Sequence, residues 1–255
     1  MTTVYAWPST DRYQHSRPKL LVMTKQYRGL TLEQVSGVID HSVLRPENTA
    51  EDIRAGAEIA VRNRVASLCI RPGDVSLAKG LLADSDVYLS TVIGFPHGTT
   101  TTATKVAESV EAVREGAVEL DMVLNVGWLI EGRIDEVTSD IEAVVKASKS
   151  QNPQVIVKVI FETALLTQEQ IIDACHASEA AGADYVKTST GFSAAGATVE
   201  NIKLMRATVG DRLGVKASGG VRTLDSIIDM IEAGASRVGS SSTDKVLDEF
   251  REKAV

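Results

Sequence analysis

Short apolar runs alternate with amphipathic stretches along most of the chain, and the alternation sets in at Thr31. The strand-like runs cover 37–41, 65–70, 88–94, 117–123, 155–160, 183–189, 213–217 and 235–239. Helical stretches lie between them, near 49–62, 73–82, 102–115, 133–149, 167–181, 198–208, 223–232 and 242–252. In the third, Ala103, Val106, Ala107, Val110 and Val113 share one face at helical spacing. Thr31, with Gln34 three residues on, has the form of a capping box that opens a short helix. Eight strands, each followed by a helix, predict an α/β protein built as a single (β/α)8 TIM barrel. The competing open doubly wound sheet usually has fewer strands and often a GxGxxG after the first. No such motif occurs in the chain.

A repeat places some of the side chains. Three helices end in Gly-Ala, at Gly116, Gly182 and Gly234, where glycine suits a left-handed residue after the helix. Five residues beyond each stand Asp121, Lys187 and Gly239, on the fourth, sixth and eighth predicted strands. Equal offsets put these three at one height, near the carboxyl ends of the strands, the face where barrels of this kind carry their active sites.

Residues 1–28 differ from the rest, with two prolines and four of the eleven aromatics (Tyr5, Trp7, Tyr13, Tyr27). We expect an N-terminal extension over 1–28, for which Met23 is an alternative start, and a barrel domain over 29–255. Hydrophobic residues make up 44% and charged residues 24%, the balance of an ordinary globular domain. A formal charge of −7 and the lack of a basic run argue against a nucleic-acid partner. No apolar run reaches the length of a membrane span, and the first residues lack the pattern of a secretion signal. Two cysteines, Cys69 and Cys175, fit a reducing cytoplasm, and the four scattered histidines suggest no metal site.

Lys187 raises the central question, because it follows Tyr185 and Val186 in what reads as a buried strand. A charged amine there is costly unless paired or neutralised. Lys158 and Lys216 occupy the neighbouring strands on either side. Three lysines on three consecutive strands, with Asp121 at their level, fit poorly with packing or with isolated salt bridges. They fit a nucleophilic amine: burial and a second ammonium both disfavour the charged form, and a neutral amine attacks a carbonyl to give a Schiff base. Asp121 and a partner lysine would move the protons, and no cofactor is needed.

The loops after the last two strands suggest a phosphate handle on the substrate. Ser218-Gly219-Gly220-Val221-Arg222 and Gly239-Ser240-Ser241-Ser242 supply glycine backbone amides and hydroxyls where barrels often hold phosphate. The Gly-Gly pair alone would be no more than a turn. Cys69 reads as a small pocket-lining residue rather than a nucleophile. Asp40 reads as a substrate contact beside a structural His41, His97 as a ligand contact or a turn residue, and Glu162 as a charge partner for a lysine.

Taken together, the runs IDHSVLRP (39–46), ASLCIRP (66–72), VIGFPHG (92–98), ELDMVLNVG (119–127), VKVIFET (157–163), ADYVKTSTGF (183–192), VKASGGVRT (215–223) and RVGSSS (237–242) closely resemble deoxyribose-phosphate aldolases. The resemblance implies a class I aldolase that reversibly cleaves 2-deoxy-D-ribose 5-phosphate to acetaldehyde and D-glyceraldehyde 3-phosphate. It implies Lys187 as the Schiff-base residue, Lys216 as the group that depresses its pKa, and Asp121 as proton donor and acceptor. Thr190 and Asp40 would hold substrate hydroxyls or waters. Gly191, Gly219, Gly220, Gly239 and Ser241 would contact the phosphate, with Ser240, Cys69 and Lys158 also lining the substrate site. The expected partners are a phosphosugar and its aldehydes, together with further copies of the chain as a homodimer or homotetramer.

Four positions depart from the family pattern: Ser42 where threonine is frequent, Arg71 where asparagine is frequent, Phe192 where some members have lysine, and an end at Val255 without a terminal tyrosine. The last would leave part of the proton transfer to water. Other readings are an isomerase or synthase on a related barrel, a phosphate sensor without catalysis, and a transaldolase-like enzyme. The lysine pair opposes the first, the full set of catalytic groups opposes the second, and only the detailed motifs separate the third.

Overall fold

The computed structural model describes residues 25–255. Most of the expected extension, including Met23, lies outside the described residues. Residues 26–28, also expected to belong to it, are instead part of the body. Strands β1 (Gln26–Tyr27) and β2 (Leu30–Thr31) form a small antiparallel hairpin. Its turn uses left-handed residues at Arg28 and Gly29. Tyr27 Oη donates to Asp225 at 2.9 Å, and Arg28 pairs with Asp229 and Glu232. Gln26 and Val255 exchange two backbone hydrogen bonds, of 3.0 and 3.2 Å. Helix α1 (Leu32–Ser36) follows, opened by the capping box of Thr31 and Gln34.

From there strand and helix alternate. The order is β3 (Ile39–Val43), α2 (Ala50–Asn63), β4 (Ser67–Ile70), α3 (Val75–Leu81), β5 (Tyr88–Ile93) and α4 (Thr102–Glu115). It continues with β6 (Glu119–Val123), α5 (Val126–Ile130), α6 (Ile134–Gln151), β7 (Ile156–Ile160), α7 (Gln168–Ala180) and β8 (Tyr185–Lys187). The last elements are α8 (Val199–Val209), β9 (Gly214–Ala217), α9 (Leu224–Glu232), β10 (Arg237–Ser240) and α10 (Thr243–Lys253). Strands β3 to β10 are parallel and close on themselves, with β10 beside β3. The expected (β/α)8 barrel is the fold.

Several strands begin two residues later than the apolar pattern suggests, at Glu119, Tyr185 and Arg237. The cause lies at the preceding helix ends. Gly116, Gly182 and Gly234 all have positive φ, and the next amide folds back onto the helix. Ala117 donates to Ala112, Ala183 to Ser178 and Ala235 to Met230. Those amides close the helix, as in a Schellman turn, and are not free for the sheet. Helix α5, five residues capped by Asn125, was too short to leave a periodic signal.

Alternation along the strands separates two environments. Leu120, Met122, Val157, Val159, Val186 and Val215 face the helices and are fully buried. Their neighbours in sequence face the barrel axis, where this family of folds usually packs branched aliphatics. Here that space holds Glu119, Asp121, Lys158, Lys187, Lys216 and Arg237, all buried. The axis of this barrel is ionic.

Candidate active site

The register brings the expected residues to one level. Asp121 pairs with Lys158 across β6 and β7, and Lys187 with Lys216 across β8 and β9. Asp121 is the hub of the cluster. Its Oδ1 accepts from Lys158 Nζ at 2.8 Å, and its Oδ2 accepts from Lys187 Nζ at 2.6 Å and Lys216 Nζ at 2.7 Å. Asp40 approaches from β3, with Oδ2 at 2.5 Å from Lys216 Nζ and 3.8 Å from Lys158 Nζ. Gly239, the third residue of the equal-offset set, is register-paired with Asp40. A Cβ there would collide with the Ser218 hydroxyl and lie 3.5 Å from Lys216 Cε, so glycine leaves room beside that lysine.

Beneath this level lie two charges that the sequence reading missed. Glu119 Oε2 accepts from Lys158 Nζ at 2.6 Å. Arg237 spans two strands, donating to Asp40 Oδ1 at 2.8 Å and to Glu119 Oε1 at 2.7 Å. Their signal was parity: Glu119 stands two residues before Asp121, and Arg237 two before Gly239, on the same inward face.

Burial sets the protonation states in opposite directions. It pushes the Lys187 amine below its usual pKa, and the Lys216 ammonium adds to this against the pull of Asp121. For Lys216, Asp121 and Asp40 overcome the same desolvation and hold the amine above its usual value. Lys158 is likewise held high, against burial, by Asp121, Glu119 and Asp40. Against burial, the three lysines keep Asp121 well below the carboxylate range. The cluster thus sets an amine of lowered pKa beside one of raised pKa. Buried ions cost several kcal/mol each, so such a group is poor evidence of a stabilising device.

Cys69 is buried beside the lysines, where desolvation raises its pKa and keeps it a thiol. His41, expected to be structural, has its Nδ1 2.8 Å from Thr243 Oγ1 and its pKa lowered to about 4 by burial, and it also lines the cavity at this end of the barrel. Glu162 does not face a lysine. Its left-handed backbone (φ 57°) turns the carboxylate onto Thr190, whose hydroxyl and amide both donate to it. The expected lysine partner is therefore replaced by a threonine, and Thr190 is fixed in turn. His97 is exposed on the loop after β5.

A cavity of about 530 Å³ opens at this end of the barrel. Thr190, Gly191, Gly219, Gly220, Gly239, Ser240 and Ser241 line it, which gathers the expected phosphate loops around one space. Arg222 and Arg45 also line it, and neither was singled out as a binding residue. The left-handed Gly191, Gly219 and Gly220 adopt conformations that other residues rarely take. A further glycine, Gly196, packs against the Gly219 backbone, and Ala197 N donates to the carbonyls of Ser218 and Gly219. Asp121, Lys158, Lys187, Lys216 and Asp40 lie below the cavity rather than in its walls, with Gly239 touching both.

Three departures from the family pattern have places here, and Ser42 lines the cavity itself. Arg71 pairs with Asp74 and donates to the carbonyls of Arg45 and Pro46, so it pins the loop that forms one rim. Phe192 lines the cavity and meets Phe95 edge to face at 5.2 Å. The rim is therefore partly apolar.

The family model of the DeoC/LacD aldolases matches residues 35–243. A deoxyribose-phosphate aldolase of Caldanaerobacter subterraneus subsp. tengcongensis is 49% identical over 225 residues, 88% of this chain and 97% of its own. One from Staphylococcus epidermidis is 53% identical over 205 residues, 80% of this chain and 91% of its own. The tetrameric structure of the deoxyribose-phosphate aldolase from Aeropyrum pernix superposes with a TM-score of 0.81 at 32% identity, covering 87% of this chain and 92% of that one. An ionic barrel axis beneath glycine-lined loops is thus accompanied by similarity along nearly the whole barrel, and the chain belongs to the DeoC/LacD family of aldolases.

Proposed function

We propose that the protein is a class I aldolase that reversibly cleaves 2-deoxy-D-ribose 5-phosphate through a Schiff base on Lys187. The observation that carries this reading is the single oxygen, Asp121 Oδ2, shared by Lys187 and Lys216. It joins an amine whose pKa is lowered, an amine whose pKa is raised and a carboxylate in one hydrogen-bonded group, which supports imine formation at Lys187.

In the cleavage direction the neutral Lys187 amine adds to the C1 aldehyde of the open-chain sugar. Lys216, through Asp121, protonates the carbinolamine oxygen, and water leaves to give the iminium. The Asp121–Lys216 pair, having given up that proton, takes the C3 hydroxyl proton as the C2–C3 electron pair moves into the iminium. This forms an enamine and releases glyceraldehyde 3-phosphate, and the same pair returns the proton at C2. Protonation of the enamine at C2 and hydrolysis release acetaldehyde and return the free amine. Thr190, held by Glu162, and Asp40 are assigned to substrate hydroxyls or ordered waters. Gly191, Gly219, Gly220, Gly239, Ser240 and Ser241 are assigned to the phosphate, with Arg222 as a nearby cation.

The buried, unpaired Cys69 and Cys175 support a reducing cytoplasm as the compartment. Among the described residues no helix is long and apolar enough to cross a membrane. The tetrameric relative supports assembly into a homodimer or homotetramer, which sedimentation would decide.

Borohydride reduction in the presence of acetaldehyde, followed by peptide mass spectrometry, tests the mechanism. We expect a two-carbon adduct on Lys187 at neutral pH. A folded protein without that adduct would refute the Schiff-base reading.

A further inference from the structure

Seven ionisable side chains share the barrel axis: three carboxylic groups (Asp40, Glu119, Asp121) and four basic groups (Lys158, Lys187, Lys216, Arg237). Fully charged, the group carries one excess positive charge, and it is electroneutral if one lysine gives up its proton. The contacts are unequal. Lys158 reaches all three carboxylates, at 2.6, 2.8 and 3.8 Å. Lys216 reaches Asp40 and Asp121, and Arg237 reaches Asp40 and Glu119. Lys187 reaches Asp121 alone, on the oxygen it shares with Lys216.

We propose that Arg237 and Glu119 are positioning residues that decide which lysine becomes the neutral amine. A guanidinium does not deprotonate in proteins, so Arg237 holds a permanent claim on Asp40 and Glu119. That claim leaves four basic groups to three carboxylates, and the proton is shed where the fewest contacts hold it, at Lys187. Glu119 acts in the opposite sense, anchoring Lys158 and Arg237 in place and in charge. Neither residue lines the cavity or needs to touch substrate.

The other groups around Lys187 do not alter the balance. From β4, Cys69 is kept a thiol by burial. Strand β5 brings an ionisable group only at Tyr88, its exposed first residue. Tyr185, on the same strand as Lys187, lies one layer below with its ring against Gly214. Glu162 is engaged by Thr190, and His41 by Thr243.

This proposal rests on the Schiff-base reading above, so its test uses a chemistry that needs no aldehyde. Competitive acetylation of Lys187 by acetic anhydride across pH, read by peptide mass spectrometry, reports the amine's protonation directly. Acetaldehyde trapping on the unmutated protein runs alongside and judges the Schiff-base reading separately. Replacing Arg237 with Met is expected to move the acetylation midpoint up by about one pH unit or more, a tenfold loss of neutral amine on the acid side. Glu119→Gln is expected to move it down, and Arg237→Lys to leave it near its original position. A merely structural role would not give opposite signs for the two deletions. An unmoved midpoint in folded Arg237→Met, or a midpoint in Glu119→Gln that stays or rises, overturns the proposal. Should Arg237→Met fail to fold, the direction seen in Glu119→Gln decides alone.

Discussion

Lys187 and Lys216 stand side by side across β8 and β9, and their amines donate to the same oxygen of Asp121, at 2.6 and 2.7 Å. Two cations so close would repel, and the shared carboxylate holds them together while burial drives one of them towards the neutral form. Asp121→Asn keeps the shape but removes the charge that links the amines. Turnover of deoxyribose 5-phosphate should fall about 10²- to 10⁴-fold, the range of a lost acid–base group. Far-ultraviolet circular dichroism should show the barrel still folded. A loss below tenfold would remove Asp121 from proton transfer.

The pH profile should carry the mark of Lys187. Only its neutral form attacks a carbonyl, so kcat/KM should rise with pH through its depressed pKa and fall away on the acid side. Lys216→Met takes away the neighbouring ammonium, one of the forces lowering that pKa. The acid limb should move to higher pH, with part of the lost activity recovered in alkaline buffer. A uniform loss with an unshifted limb would assign Lys216 to proton transfer alone.

His41 makes folding stability depend on pH. Burial lowers its pKa to about 4, while the unfolded chain protonates it near the ordinary value of 6.5. Between those limits the unfolded state binds the extra proton, so stability falls as pH drops through that window and levels off below it. The full effect is about 3 kcal/mol by linkage. Urea midpoints at neutral and mildly acidic pH would measure it, and His41→Gln should flatten the dependence. Asp121 and Asp40, whose pKa values are lowered, contribute stability that disappears only at still lower pH.

Gly196 offers a test of the proposed phosphate loop that leaves the lysines untouched. A Cβ there would be driven into the Gly219 backbone, which a flexible side chain could not relieve. Gly196→Ala should therefore displace residues 218–220 and raise KM for the phosphorylated sugar by about tenfold or more, the equivalent of about 1.4 kcal/mol. The unphosphorylated sugar should be affected far less. Equal losses for both would place the phosphate elsewhere.

Phe192 bears on how strongly the phosphate is required. Its ring lines the cavity, about half-exposed and braced by Phe95, where a lysine would add a positive charge. Phe192→Lys should increase the preference for deoxyribose 5-phosphate over deoxyribose, chiefly through KM. The ratio of the two kcat/KM values measures this, and an unchanged ratio would detach Phe192 from phosphate selection.

The barrel was legible because the strands are short and largely apolar and five of the helices between them open on a threonine cap, at Thr49, Thr101, Thr167, Thr198 and Thr223. Asp121 and Lys187 were legible from their equal distances to helix-ending glycines. Arg237 was not, because a charge opening a strand usually looks like a solvated end. Its partners, Asp40 on β3 and Glu119 on β6, reach it only once the barrel closes, Glu119 from 118 residues away. Glu162 misled for a local reason: a left-handed residue reverses the side chain's direction, and a glutamate gives no warning of one. Gly196 meets Gly219 only in three dimensions.

The two backbone hydrogen bonds between Gln26 and Val255 have a consequence for the order in which the barrel can be written. Points 229 residues apart in sequence touch there, so a short linker would join them without spanning the barrel. New ends could then be cut at Gly132, an exposed turn between α5 and α6 with open space around it. In such a permuted chain Lys158, Lys187 and Lys216 would be made before Asp40 and Asp121, and the same seven charges would meet only when the last strand of the new order entered.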